Sequence, residues 1–301
     1  MLSEAPDALI RAIAIPGGDA AALQSLQTSY LEHLGARAAH LGDATALASR
    51  AKDPLFLAWL IARARQDARA PEQPPATSPR VLAGNRFALL EAADWPPLMD
   101  MLQNDADATT KPAGVVTACV SAALELLRET WPEAADDVET FVCALFVPDA
   151  PPGSFSSGSV ANMPYIVRVS CHQNAWPALL ADSLIHEAAH VKLRMAMQVT
   201  RLLQDDSDNA AIYTHPWRQD RRPLTGVLLA THAFVSVFAF YKRLAALRPD
   251  DGRGAQEAEA LQARVETALR TLEAAQGLAP AGVRLSGVLR DEFDEASAIG
   301  A

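Results

Sequence analysis

The chain lacks most of what marks the specialised protein classes. Its three cysteines, Cys119, Cys143 and Cys171, stand far apart and form no CxxC pair. That excludes a disulfide framework and a cysteine zinc site, and it matches a reducing compartment. Positive charge is not in excess: 26 Lys and Arg against 36 Asp and Glu leave a net charge of -10. A general affinity for nucleic acid or anionic membrane is thereby disfavoured, although a local basic pocket is not. Uninterrupted apolar runs are short as well. Val227 to Ala230 and Phe234 to Tyr241 are broken by Thr231, His232 and Ser236, below the roughly 18–20 apolar residues of a membrane span. The start, Met-Leu-Ser-Glu-Ala-Pro-Asp, has neither the basic region nor the apolar run of a signal peptide. The expectation is a cytoplasmic protein with no membrane and no nucleic-acid partner.

What is present reads as globular. Half of the 301 residues are hydrophobic and 21% are charged, enough to bury a core without a structural metal. Helical spacing is expected over Ala20 to His40, with Leu23, Leu26, Tyr30, Leu31 and Leu34, and over Pro54 to Arg65. The four prolines within residues 69–80 then preclude a helix. The expected organisation is an N-terminal helical region over 1–68, a linker or strap over 69–80, and a metal-binding catalytic domain over 81–301; one continuous domain is the other reading. Gly114 to Thr130 is expected to be a helix and Phe141 to Val147 a buried strand. Tyr165 to Ser170 forms a second strand, hairpin-paired with a neighbour near Phe155 to Val160. Further helices are expected from Pro177 to about Leu203, from Pro223 to Leu247, from Gln256 to Ala275, and from Ala281 to Phe293. The fold class is therefore mostly α with a small antiparallel sheet.

Chemistry concentrates in Asp182-Ser-Leu-Ile-His186-Glu187-Ala-Ala-His190-Val-Lys-Leu. This is H-E-x-x-H on a helix, a pattern that arises by accident in only ~1% of such chains. Residues four apart lie one above the other, so both imidazoles can reach one divalent ion. Glu187 lies roughly a hundred degrees round the helix, able to touch a metal-bound water but badly placed as a ligand. A third protein ligand is needed. No glutamate occurs between Glu187 and Glu257, and no histidine lies six residues after His190. The available donors are Asp205, Asp206, Asp208, His215 and His232. His232 is the best of them, because its helix is so apolar that the ring must face the core. A core histidine hydrogen-bonded to a carbonyl is the bland alternative. His33 and His40 read as surface groups, and His172 is undecided. The expected metal site thus lies on a long helix packed against a second, histidine-bearing one.

A second constellation is Tyr213-Thr-His-Pro216-Trp217-Arg218-Gln-Asp220-Arg221-Arg222-Pro223. Three arginines in five positions form either a solvated basic loop or a carboxylate clamp, since a guanidinium fork pairs bidentately with a planar carboxylate. Spacing alone does not choose between them.

These strings in this order, with Gly226 and His232-Ala-Phe234-Val after them, resemble the HExxH-motif peptide-modification family. Its members are iron(II)- and 2-oxoglutarate-dependent hydroxylases encoded with ribosomally synthesised, post-translationally modified peptides. The resemblance covers roughly residues 140–245. It implies a dioxygenase that hydroxylates the β-carbon of a residue in a precursor peptide, using O2. His186 and His190 would be iron ligands with His232 as the third, and Arg218 and Arg222 would meet the co-substrate. Arg221 stands where the family pattern has proline. Non-haem iron sites usually combine two histidines with one carboxylate, which keeps an Asp ligand open. The alternative enzyme is a zinc metallopeptidase with Glu187 as general base; the alternative of another class is a peptide-binding protein whose helix merely packs.

Overall fold

The computed structural model describes residues 6–37, 50, 53–64, 80–81, 87–90, 110–149, 156–159, 163–204 and 212–300. Most of the proline-rich stretch 69–80 lies outside them. The chain divides into two compact units, one of Thr28–Glu129 and Ala135–Val191, the other of Met1–Gln27, Thr130–Ala134 and Lys192–Ala301. The helices are α1 (Asp7–Ala14), α2 (Ala20–Arg37), α3 (Pro54–Ala64), α4 (Ala113–Thr130), α5 (Pro132–Phe141), α6 (Pro177–Val199), α7 (Leu224–Leu247), α8 (Arg253–Glu273) and α9 (Pro280–Ala298). The strands are β1 (Arg80–Val81), β2 (Ala88–Leu90), β3 (Ala144–Phe146), β4 (Ser157–Ser159) and β5 (Ile166–Val169).

The first unit holds the sheet, in the order β1-β2-β3-β5-β4. The expectation of an antiparallel sheet is corrected here. β4 does pair antiparallel with β5, Ser157 opposite Val169 and Ser159 opposite Val167, as the expected hairpin requires. β3 runs parallel to both β2 and β5, so the sheet is mixed. The cause is topological: α4 and α5 separate β2 from β3 in the chain, and a helical crossover returns the chain in the same direction. α5 was not expected, and it takes Phe141 from the strand forecast at 141–147. Only Ala144–Phe146 are extended, and all three are fully buried, as a central strand with both faces covered should be.

The second unit is helical, with α7 packed on α8 and α9, and α1 on α9. Val227, Leu228, Val235, Phe238, Phe240 and Tyr241 of α7 are all buried. Arg243 crosses from α7 to the buried Glu292 of α9 at 3.1 Å and lies 4.0 Å over the Trp131 ring. Burial holds the Glu292 carboxyl above its ordinary range against the opposing pull of Arg243. α7 ends at Arg248, and the turn into α8 is made by Gly252 at φ +70°, a left-handed conformation that costs glycine little. α9 begins at Pro280 and runs to Ala298, longer at its C-terminal end than expected. The length and composition of α7 would also let a helix cross a membrane, with a mean hydropathy of 1.7 over its best window. Thr231, His232 and Ser236 break the apolar run, but they barely lower the average over so long a helix. Of that window 78% is buried inside the protein, as in the central helix of a helical core.

Candidate active site

α6 carries the H-E-x-x-H string as expected. The His186 and His190 rings stand edge to face with centroids 4.5 Å apart, the one-turn neighbourhood that their spacing demands. Both residues are half-buried, whereas Glu187 is 2% exposed. Its carboxylate does not stand open. Ser157 Oγ donates to Oε1 at 2.7 Å and Ser159 Oγ to Oε2 at 2.6 Å. The two serines alternate on β4 around Gly158 and so share one face of the sheet. His186 Nε2 lies 4.0 Å from Glu187 Oε1, beyond hydrogen-bonding distance. The sequence reading missed both serines. Their signal is present only as Ser-x-Ser on a short strand, which says nothing about its partner.

His232 lies in the helical unit, fully buried on α7, with Nε2 2.7 Å from the carbonyl oxygen of Ile13. A carbonyl only accepts, so Nε2 carries the proton and Nδ1 the lone pair. Ile13 belongs to the last turn of α1, where carbonyls lack intrahelical partners. The buried Lys192 caps the same helix end, donating to Ile15 O at 3.1 Å. A metal-ligating histidine ordinarily has its other nitrogen tied in this way, and a core histidine does too.

The arginine loop is also in the helical unit. Tyr213 and Arg222 form a two-residue antiparallel bridge, with Tyr213 N to Arg222 O at 3.1 Å and Arg222 N to Tyr213 O at 3.0 Å. Between them, Trp217 stacks on Phe234 of α7, centroids 4.0 Å apart and planes 7° from parallel. His215 meets the edge of Trp217 at 5.9 Å. Asp220 takes Arg222 at 2.7 Å and Arg218 at 3.6 Å. Arg218 is mostly exposed, while Arg222 is about two-thirds buried, and Arg221 is exposed. Three buried atoms of this loop have no hydrogen-bond partner: His215 Nδ1, Trp217 Nε1 and Arg222 Nε. Buried polar atoms are otherwise almost always satisfied. His215 is 8% exposed. Burial, then the charges of Arg218 and Arg222, hold its pKa below the usual histidine value; the Gly226 backbone and Asp220 pull weakly the other way.

The residue chemistry fits the two groups the resemblance implies. Paired imidazoles suit a divalent first-row metal, and unpartnered indole and guanidinium N–H groups suit an anion. Among the described residues no group of three or more His, Cys, Asp or Glu side chains is gathered into one ligand set. Asp205, Asp206, Asp208 and His40 lie outside the described residues. His33 is half-buried on α2, and His172 lies on a cleft in the sheet unit. No protein-family model matches this chain, and no curated protein matches it in sequence.

Proposed function

We propose that the protein is an iron(II)- and 2-oxoglutarate-dependent hydroxylase acting on a residue of a ribosomally made precursor peptide. The observation that carries this reading is the arginine loop. Trp217 Nε1 and Arg222 Nε are buried donors with nothing to donate to, and leaving such a group unmade costs about 1–3 kcal/mol. A co-substrate carboxylate is an acceptor of the kind both lack. Of the two arginines, Arg222 is assigned the clamp because it is the more buried; Arg218 stays in solvent.

His186 and His190 are assigned as two iron ligands, with His232 as the third only on the strength of the resemblance. When bound, iron(II) with 2-oxoglutarate and O2 supplies the oxidising power to break an unactivated C–H bond. The protein residues orient and bind. The Ile13 carbonyl fixes the His232 tautomer, the Trp217 stack on Phe234 holds the loop, and Ser157 and Ser159 hold Glu187.

In the zinc peptidase alternative Glu187 must take a proton from a metal-bound water. Both of its oxygens already accept hydroxyl hydrogen bonds and the residue is 2% exposed, so the carboxylate is held by the sheet rather than left open to a water. The arginine loop has no task in that reaction. Anaerobic addition of 2-oxoglutarate to the iron(II)-loaded protein is the test. A visible metal-to-ligand charge-transfer band is expected. No band, together with peptide cleavage by the zinc-loaded protein, would replace the hydroxylase with the peptidase.

A further inference from the structure

The sheet unit contains a cleft of about 670 Å³ between the N-terminal half of α4 and the segment that leads from β5 into α6. Its lining includes Val115, Ala118 and Leu180, and two of the three cysteines of the chain, Cys119 and Cys171. Cys119 lies beside Cys171, near enough to act on its thiol, and both line the same cleft. Cys171 is 2% exposed, whereas Cys119 is partly accessible. Fifty-one residues separate them in the chain, so only the fold brings the sulfurs together. Nothing in the proposed hydroxylation uses them.

We infer that Cys119 and Cys171 form a peroxide-responsive dithiol, closing to a disulfide that ties α4 to the entry of α6. Cys119 reacts first because it is the sulfur that an oxidant in the cleft can reach. Its thiolate attacks one oxygen of a hydroperoxide; the S–O bond forms, the O–O bond breaks, and hydroxide leaves with a sulfenic acid remaining. Cys171 then attacks the sulfenyl sulfur, the S–S bond forms, and the thiol proton leaves with the hydroxyl as water. Two thiols are thus oxidised by two electrons and one peroxide is reduced to two waters. Burial pushes the Cys171 thiol up to about 12. It is therefore a poor first nucleophile, since the thiolate is the reactive form, but a resolving partner already alongside needs little thiolate. Cys143, the third cysteine, does not line the cleft.

The inference does not depend on the hydroxylase reading, and its test requires no turnover. The full-length metal-free protein is treated with hydrogen peroxide, alkylated, and mapped by mass spectrometry. The expected result is a loss of two hydrogens, a Cys119–Cys171 crosslinked peptide, an alkylated Cys143, and a higher thermal midpoint that reductant reverses. In Cys171→Ser, Cys119 should stop at a sulfenic acid that dimedone traps. In Cys119→Ser, Cys171 should remain reduced. Three free thiols after excess peroxide, a crosslink to Cys143, or oxidation that begins at Cys171 would each overturn the inference. Because the wild-type crosslink carries the test, a variant that fails to fold does not shield it.

Discussion

The substitution Glu187→Gln tests the chemistry most directly, because the two enzyme readings assign this side chain different work. In the structure each carboxylate oxygen accepts one serine hydroxyl, at 2.7 and 2.6 Å. Charge-assisted bonds of this kind contribute about 1.5–3 kcal/mol each, neutral ones about 1. Glutamine keeps the shape. Its carbonyl accepts from one serine, and its NH2 donates to the other once that hydroxyl turns round. The number of bonds survives while the charge assistance is lost, and relief from burying a charge offsets part of the loss. A cost of about 1–3 kcal/mol follows, a fall of roughly 2–10 °C in the thermal midpoint for a unit of this size. In the hydroxylase the turnover loss should stay within about 10–100-fold, the usual scale for a group that supports ligands without reacting. A general base would cost about 10²–10⁴-fold. The assay supplies iron(II), 2-oxoglutarate, O2 and the cognate peptide, and follows succinate together with intact peptide heavier by one oxygen. The reasoning is refuted if Glu187→Gln abolishes turnover while the fold persists, or if wild type cleaves the peptide with indifference to 2-oxoglutarate.

The other predictions separate binding from stability. Trp217→Phe keeps the stack on Phe234 but removes the unpartnered buried N–H; the co-substrate KM should rise about tenfold while the free protein is no less stable. Arg222→Ala should raise that KM about 30–150-fold, near the lower end for a partly exposed charged contact, and leave iron content unchanged; an unaltered KM would remove the clamp. His232→Ala should abolish stoichiometric iron binding, measured by metal analysis, and full occupancy would withdraw the third-ligand assignment. His215 has a depressed folded-state pKa, so its stabilising contribution is complete above about 6.5 and is lost as pH falls toward the folded value. Acid unfolding should therefore begin at lower pH in His215→Gln, and an identical pH profile would contradict it. Finally, a Cβ at Gly282 would sit 2.0 Å from the Leu202 carbonyl oxygen, so Gly282→Ala should lower the thermal midpoint, with a cost of about 1–3 kcal/mol or more.

Periodicity and spacing alone determined the local features. The i, i+4 geometry of His186 and His190 follows from any helix through Pro177–Val199, and the proline at 223 marks the start of α7 wherever that helix packs. The apolar flanks of His232 were enough to forecast that its ring is buried. The fold decided everything that depends on which distant segment arrives beside a given residue. Ile13 meets His232 across 219 residues and sets its tautomer. Ser157 and Ser159 reach Glu187 from a strand 28 to 30 residues earlier, and they change it from an open carboxylate into a held one. The sheet became mixed because the crossover through α4 and α5 set β3 parallel to β2, and a strand's own sequence does not encode the direction of its neighbour. Cys119 and Cys171 read as two isolated thiols until α4 and the β5–α6 segment were laid side by side. Side-chain period is a property of one segment and is legible in it; pairing is a property of two, fixed by burial and hydrogen bonding summed over the whole unit.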